Sequence, residues 1–352
     1  MNILFLEGDM SRQGGTERMT ALLANAFCEK DYVWIISRKL AANIVFFQLD
    51  NRVQHTVLSD AREKCSIVSQ IIKIRRFIKK NRIDCVINVD VGMSIFGIPA
   101  CLGTKTKVIT WEHGNYFNNW NSRIFPYIRK FAVKCSNAMV VLTEKDKENY
   151  RKNVQTRKKI YVIPNPAECH EFNYNLNSKV IMSAGLLLPI KRFDLAIQTA
   201  AEILPQYPEW KWIICGEGPE RTYLEELIAQ NHLQDQMLLL GTVNNMEKEY
   251  QNAAMFVMTS EMEGLPMVLL EAKSWGLPLV SFDIMTGPSD IIRDGINGYL
   301  VKPYDTQALG ACIEKLISSK ETRMIFSNNS HLDMERFDFK KIVKEWRNVM
   351  EV

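Results

Sequence analysis

The 352-residue sequence has no apolar run long enough to cross a bilayer. The nearest candidate, Ile95–Leu102, falls far short of the roughly 18 residues that a spanning helix needs. The opening Ile3–Leu6 run is too short for the core of a secretion signal and has no basic segment before it, so it reads as a first buried strand. A cytoplasmic protein is expected. Paired cysteines are missing too. Cys28, Cys65, Cys85, Cys101, Cys135, Cys169, Cys215 and Cys312 include no C-x-x-C pair and sit among apolar or helical neighbours. That spacing argues against a zinc site or a disulfide framework and predicts buried free thiols in a reducing compartment. Low-complexity tracts and solenoid-type repeats are absent. The third glycine of a dinucleotide-binding fingerprint is absent as well: Gly216-Glu217-Gly218 follows an apolar run, but Arg221 holds the last glycine's place. A Rossmann dehydrogenase is thereby disfavoured.

What is present suits a soluble α/β protein of two domains. Hydrophobic residues make up 47% and charged residues 24% of the chain, and its length exceeds that of one ordinary domain. Short apolar runs alternate with helix-period stretches. In the second half Val180–Ala184, Trp212–Cys215, Met237–Leu240, Phe256–Thr259 and Leu279–Phe282 read as buried strands. Phe193–Leu204, Glu220–Ala229, Met246–Ala253 and Val268–Trp275 read as the helices between them. The first half repeats the scheme at Ile3–Leu6, Val33–Ile36, Cys85–Val89, Val108–Trp111, Met139–Leu142 and Ile160–Ile163. Apolar strands alternating with helices predict parallel sheets covered on both faces. Pro164-Asn165-Pro166 marks a boundary, giving domains 1–165 and 166–335, with a final helix over Lys341–Met350 in a segment 336–352 expected to pack back toward the first domain.

Ligands of such sheets bind beyond the carboxyl ends of the strands, so candidate sites are sought there. Gly14-Gly15-Thr16 lies between the first strand and a helix from about Glu17 to Phe27, where glycines and free amides suit a phosphate or an acceptor. Pro219 and Glu220 suit the start of the helix after Gly216-Glu217-Gly218. The most informative stretch runs from Glu263 to Ala272, where two carboxylates bracket a Gly264-Leu265-Pro266 turn and an apolar helix start. Glu271 interrupts the apolar run Met267–Ala272, a costly place for a carboxylate without hydrogen-bonding partners. Sugar hydroxyls are suitable partners, because an ionised carboxylate only accepts.

On these residues the chain resembles glycosyltransferase family 4, the retaining enzymes of GT-B fold. Glu263 and Glu271 match the family's E-x7-E motif. Gly185 to Asp194 is similar to its Gly-Arg-Leu…Lys-Gly-Phe-Asp segment, with Lys191 at the lysine position. Gly287-Pro288, Asp294-Gly295 and Asn297-Gly298 match its downstream glycine pattern, Gly14-Gly15 with Glu17-Arg18 its amino-terminal loop, and Glu112-His113-Gly114 its cleft histidine. The resemblance covers nearly the whole chain and is strongest over 180–302. It implies an α/β fold of two Rossmann-like domains, their parallel sheets facing across a cleft, the first for the acceptor and the second for a nucleotide sugar.

The resemblance also implies roles. Glu271 would bind ribose and Glu263 the donor sugar, with help from the backbone of Gly264, Leu265, Pro266 and Met267. Lys191 would neutralise the departing diphosphate, and His113 would sit over the sugar–phosphate region. Gly15, Gly185 and Arg192 complete the candidate donor and acceptor contacts. One position departs from the family: Leu186 stands where an arginine usually grips the diphosphate, leaving Arg192 and Arg12 to take its part. No Asp-x-Asp metal motif and no cofactor are expected, since cations and helix dipoles serve the leaving diphosphate in GT-B enzymes. The implied reaction moves a hexose or N-acetylhexosamine, with retention, from a UDP-sugar to a glycan or lipid-pyrophosphate acceptor in bacterial surface-polysaccharide assembly. A sugar-nucleotide epimerase of similar fold, or a non-catalytic nucleotide-sugar sensor, are the other readings. Product analysis separates them.

Charge is unevenly spread. Residues 1–165 hold 27 Lys and Arg against 14 Asp and Glu, a surplus of 13, whereas the net charge of the whole chain is +4. Ile67, Ile71, Ile74 and Ile78 recur at helical spacing and should face the core, placing Lys64, Lys73, Arg75, Arg76, Lys79, Lys80 and Arg82 on the opposite face. Arg129, Lys130 and Lys134 form a second cluster on another helix. An anionic membrane, on the inner face of the plasma membrane, is the expected partner of this half. No nucleic acid is expected to bind.

Overall fold

The protein is described here from a computed structural model covering residues 1–42, 44–58, 66–119 and 122–351. Lys64 and Cys65 lie outside the described residues. The chain divides into two compact units, Met1–Pro166 with Phe339–Val352, and Ala167–Asp338. Among the described residues no helix is long and apolar enough to cross a membrane.

The first unit contains β1 (Asn2–Glu7), α1 (Gly15–Phe27), β2 (Tyr32–Ser37), β3 (Gln54–Val57), α2 (Ile67–Lys80), β4 (Cys85–Val89), α3 (Ser94–Cys101), β5 (Lys107–Trp111), α4 (Phe125–Cys135), β6 (Ala138–Val141), α5 (Glu144–Val154) and β7 (Ile160–Val162). All strand pairs are parallel, in the order β3-β2-β1-β4-β5-β6-β7. Leu4, Leu6, Ile36, Val86 and Val108 of the sheet pack against Ile74 and Ile78 of α2 and Phe96 and Ile98 of α3. Each such side chain contributes roughly 1.5–3 kcal/mol by leaving water. Ile71 packs partly against this cluster, but Ile67 is 54% exposed. The expected four-isoleucine core stripe is therefore three residues long, because the first turn of α2 presents Ile67 to solvent.

The second unit contains β8 (Val180–Ala184), α6 (Phe193–Ile203), β9 (Lys211–Cys215), α7 (Arg221–Gln230), β10 (Met237–Gly241), α8 (Met246–Asn252), β11 (Met255–Met258), α9 (Met267–Ser274), β12 (Leu279–Phe282), α10 (Pro288–Ile291), β13 (Gly298–Val301), α11 (Thr306–Ser318) and α12 (Lys320–Asn328). The parallel order is β10-β9-β8-β11-β12-β13. Met237–Leu240 was expected to be buried, yet Leu240 is exposed because β10 is an edge strand. Buried polar atoms are paired where the strand order reverses: Trp212 Nε1 donates to Ser183 Oγ at 3.0 Å, and that hydroxyl donates to Val257 O at 2.6 Å.

The last helix, α13 (Phe339–Glu351), returns to the first unit. It buries Ile342, Trp346, Val349 and Met350 at helical spacing. Trp346 meets Trp111 edge-to-face at 4.9 Å between ring centroids. Arg347 Nη1 lies 2.7 Å from Asp31, which also holds the amino-terminal ammonium. Lys107 Nζ donates to the closing carbonyls of Met350 and Glu351, where a cation complements the helix dipole. Of the thiols expected to be buried, Cys28, Cys85, Cys101 and Cys215 are, whereas Cys135 and Cys169 are exposed and Cys312 half-buried. Cys135 ends α4, and Cys169 lies in the irregular stretch between β7 and β8.

Candidate active site

Strand order reverses between β1 and β4 in the first unit and between β8 and β11 in the second. Crevices beyond such switch points are where open α/β sheets bind ligands. In the second unit Gly185 and Leu186 follow β8, and the segment Thr259–Pro266 follows β11. Gly216 backs directly onto Gly185: a Cβ at Gly216 would stand 1.9 Å from Gly185 O, so only glycine permits this approach. Two bonds pin the β11 segment to the loop after β8. Thr259 Oγ1 donates to Lys191 O at 3.1 Å, and Glu261 N to Ile190 O at 2.9 Å.

That pinning brings Lys191 and Glu263 together. Lys191 Nζ lies 2.7 Å from Glu263 Oε1, with the two side chains 21% and 14% exposed. Thr286 Oγ1 holds the Glu263 carbonyl at 2.6 Å. Gly264, Leu265 and Pro266 are buried and lead into α9, with Pro266 as its N-cap. Gly287, at φ +102°, packs so closely that a Cβ there would lie 2.5 Å from Pro266 Cδ. The opening amides of α9 are thus rigidly presented beside an ammonium and a carboxylate, an arrangement suited to an anion and a polyhydroxyl group together. About one turn further along α9, Glu271 accepts a hydrogen bond from the buried phenol of Tyr250 at 2.9 Å.

Leu186 is 44% exposed. Arg192, in the left-handed conformation at φ +50°, is bonded to its own near neighbour: Nε and Nη2 donate to Asp194 at 3.0 and 2.9 Å. Glu261 lies 3.8 Å from its guanidinium, which also stands 5.5 Å from the Tyr304 ring centroid.

In the first unit, Gly14 and Gly15 lead into α1, and a Cβ at Gly14 would strike Glu17 Oε2. Glu17 and Glu7 are both buried. Burial, then the neighbouring Glu17, pushes the Glu7 carboxyl up to about 7, against the Asp9 and Gly8 amides. Burial raises Glu17 also, although Arg12 lies 3.6 Å away. Arg12 is therefore engaged with a carboxylate in the first turn of α1.

His113 follows β5 and packs against Trp111 with the rings tilted by 47°, 4.0 Å between centroids. Burial pushes its pKa down to about 3, so the imidazole is neutral at physiological pH. Nε2 is buried with no hydrogen-bond partner among the described residues. The loop carrying it hangs on Glu112, whose Oε1 accepts from Gly114 N at 3.1 Å and whose Oε2 accepts from Tyr150 and from Arg129 Nε at 3.2 Å. Arg129 also bonds Asn119 Oδ1 at 2.9 Å and the Asn118 carbonyl. Placing Arg129 with Lys130 and Lys134 in a surface cluster is thus wrong for Arg129, which is fully buried: its side of α4 turns inward onto Glu112. Burial pushes Glu112 up to about 8, Asp90 adding to this and Arg129 opposing it.

Residues 13–171 match the family described as Glycosyltransferase Family 4, and residues 167–333 the one described as Glycosyl transferases group 1. The chain belongs to glycosyltransferase family 4. This family 4 glycosyltransferase is 29% identical over 343 residues to an uncharacterized glycosyltransferase of Haemophilus influenzae, covering 96% of each chain. It is 28% identical to the GalNAc-α-(1→4)-GalNAc-α-(1→3)-diNAcBac-PP-undecaprenol α-1,4-N-acetyl-D-galactosaminyltransferase of Campylobacter jejuni, over 98% of this chain and 97% of that one. Among solved structures, Anabaena HepE in complex with UDP and glucose superposes with a TM-score of 0.84 at 18% identity, over 100% of this chain and 99% of that one. The two Rossmann-like units of the glycosyltransferase are those of the GT-B fold.

Several groups in the glycosyltransferase escaped the sequence reading. Tyr250 has one signal, being the single aromatic in the polar helix α8. Tyr304, which faces Arg192, and Tyr150, which holds Glu112, carry none, because each contact depends on packing between separate elements.

Proposed function

We propose that this glycosyltransferase moves a hexose or N-acetylhexosamine from a UDP-sugar to a glycan or lipid-pyrophosphate acceptor, with retention and without a metal, in bacterial surface-polysaccharide synthesis. The observation that carries the reading is the Lys191–Glu263 pair beside the opening amides of α9, with Glu271 further along the same helix. The diphosphate would lie against Lys191 and the amides, the sugar hydroxyls against Glu263, and the ribose against Glu271. The acceptor hydroxyl attacks the anomeric carbon as the bond to UDP breaks, and the departing phosphate oxygen takes the proton. Positive charge and oriented amides stabilise that departing anion. His113, held neutral by burial, would contribute a hydrogen bond and not an acid. Support for the acceptor class comes from the undecaprenol-linked glycan in the Campylobacter relative's name, and support for UDP from the HepE complex.

The first unit is the part we assign to an anionic membrane surface. Its cation surplus is joined by exposed Lys73, Arg76, Lys79, Lys80, Lys130 and Lys134, and by exposed Ile67, Val68 and Ile72 on α2. A thermal-shift screen with UDP-, GDP- and ADP-sugars tests the donor. A UDP-sugar at a hundred times its Kd should stabilise the protein by about 2.7 kcal/mol. NMR of the product with a competent acceptor then reads the anomeric configuration. No stabilisation by any UDP-sugar, or an inverted product, overturns the reading.

A further inference from the structure

We infer that Tyr250 is a positioning residue for nucleotide recognition: its phenol fixes the Glu271 carboxylate toward the ribose hydroxyls of a nucleoside diphosphate. The inference rests on the proposed role of Glu271. Tyr250 lies on α8 and Glu271 on α9, 21 residues apart, and the two helices flank β11 at the switch point of the sheet. The phenol donates to Glu271 Oε2 at 2.9 Å. The Tyr250 side chain is buried, its ring facing Phe256 of β11 at 6.2 Å between centroids. A buried phenol needs a hydrogen-bond partner, and a carboxylate is a strong one. Glu271 is only half-buried, so one edge of its carboxylate is held from within while the group still reaches the surface.

The geometry gives the pair a division of labour. A glutamate has three rotatable side-chain bonds, and ordering them costs binding free energy unless something has already fixed them. The α8 phenol does so before nucleotide arrives. An ionised carboxylate accepts several hydrogen bonds, so a bond from Tyr250 leaves capacity for a diol. Recognition of the 2′- and 3′-hydroxyls would therefore depend on a residue that never touches the nucleotide. That dependence is expressed only with a ribose present, which sets positioning apart from general support of the fold.

Calorimetry with UDP and 2′,3′-dideoxy-UDP on the full chain separates these roles. Wild type should bind UDP about tenfold or more tighter than the dideoxy analogue, and Glu271→Gln should remove most of that preference. Tyr250→Phe, which keeps the ring, should weaken UDP about fivefold and leave the dideoxy analogue unchanged. The double variant should bind UDP no more weakly than Glu271→Gln alone. Equal weakening of both ligands by Tyr250→Phe, or no effect on either, overturns the inference and leaves the Glu271 role standing. A wild type that does not distinguish the two ligands overturns the Glu271 role, and the inference with it. Should Tyr250→Phe unfold, Tyr250→Trp with Glu271→Gln as reference provides the same comparison: retained discrimination with the phenol gone overturns the inference.

Discussion

Lys191 Nζ and Glu263 Oε1 are 2.7 Å apart, so the cation proposed for the diphosphate and the carboxylate proposed for the sugar are engaged with each other. Donor must separate them, and they can rejoin as UDP leaves. Glu263→Gln should therefore tighten binding of UDP alone, about fivefold for a pair contributing roughly 1 kcal/mol. The same variant should lose transfer activity. Lys191→Ala should weaken UDP by about tenfold or more, the loss of a charge-assisted bond. Calorimetry with UDP reads both, and an unchanged UDP affinity in Glu263→Gln would show that the pair does not oppose the nucleotide.

Leu186 is exposed, and the nearby Arg192 is already bonded to Asp194. An arginine at 186 should find room and a diphosphate to grip. Leu186→Arg should tighten UDP roughly tenfold, given about 1.5–3 kcal/mol for a hydrogen bond to a charged group. An unchanged Kd would place this loop away from the diphosphate.

Removing Arg129 would strip the buried Glu112 carboxyl, the Asn118 carbonyl and Asn119 Oδ1 of the donor they share. Arg129→Ala should lower stability by about 3–5 kcal/mol, and Arg129→Lys should recover only part, since a lysine cannot bond Glu112, Asn118 and Asn119 together. Lys130→Ala, on the exposed side of the same helix, should stay within about 0.5 kcal/mol. Urea denaturation compares the three. Equal, small effects would mean that the buried pair contributes nothing to folding.

Glu7 links stability to pH. Its pKa rises from 4.5 unfolded to about 7 folded, so between those values the folded chain keeps a proton that the unfolded chain has lost. The associated stability is present in full below pH 4.5 and declines as pH rises toward 7, by about 3 kcal/mol in total. Glu7→Gln should abolish that share of the decline. Parallel stability–pH curves for the variant and the wild type would contradict the assignment.

Membrane docking should be electrostatic. Each engaged cation contributes about 1 kcal/mol near an anionic surface, over a distance of about a Debye length. Sedimentation with phosphatidylglycerol vesicles should pull the protein down at low salt and release it at high salt. Phosphatidylcholine vesicles should not bind it. Equal binding to both lipids, or none at low salt, would exclude the first unit as a membrane-facing surface.

The fold was legible wherever strands are buried on both faces. Cys85–Val89 and Val180–Ala184 were read with their observed limits, because such strands tolerate only apolar residues. The edge strand Gln54–Val57 has no apolar run and went unread, as did Gly298–Val301 and the helices Thr306–Ser318 and Lys320–Asn328. At the site, glycine and proline spacing marked the turn at Gly264–Pro266, since local backbone demands are written locally. Side-chain partnerships are not. Nothing in the sequence joins Lys191 to Glu263, 72 residues on, or Tyr250 to Glu271. Nor does a positive charge declare its direction: Arg129 and Lys130 are neighbours, one fully buried and the other exposed.

The return of Phe339–Glu351 to the first unit has a consequence during synthesis. Trp111 and Asp31 emerge from the ribosome early, but Trp346 and Arg347, which cover them, follow only after Ala167–Asp338 has been made. At roughly 5–20 residues per second, that wait is on the order of ten to sixty seconds. Throughout it the β5 end of the sheet, next to His113, has an uncovered tryptophan, a window in which a nascent chain is open to chaperones or to aggregation. The second unit is continuous in sequence and faces no such delay.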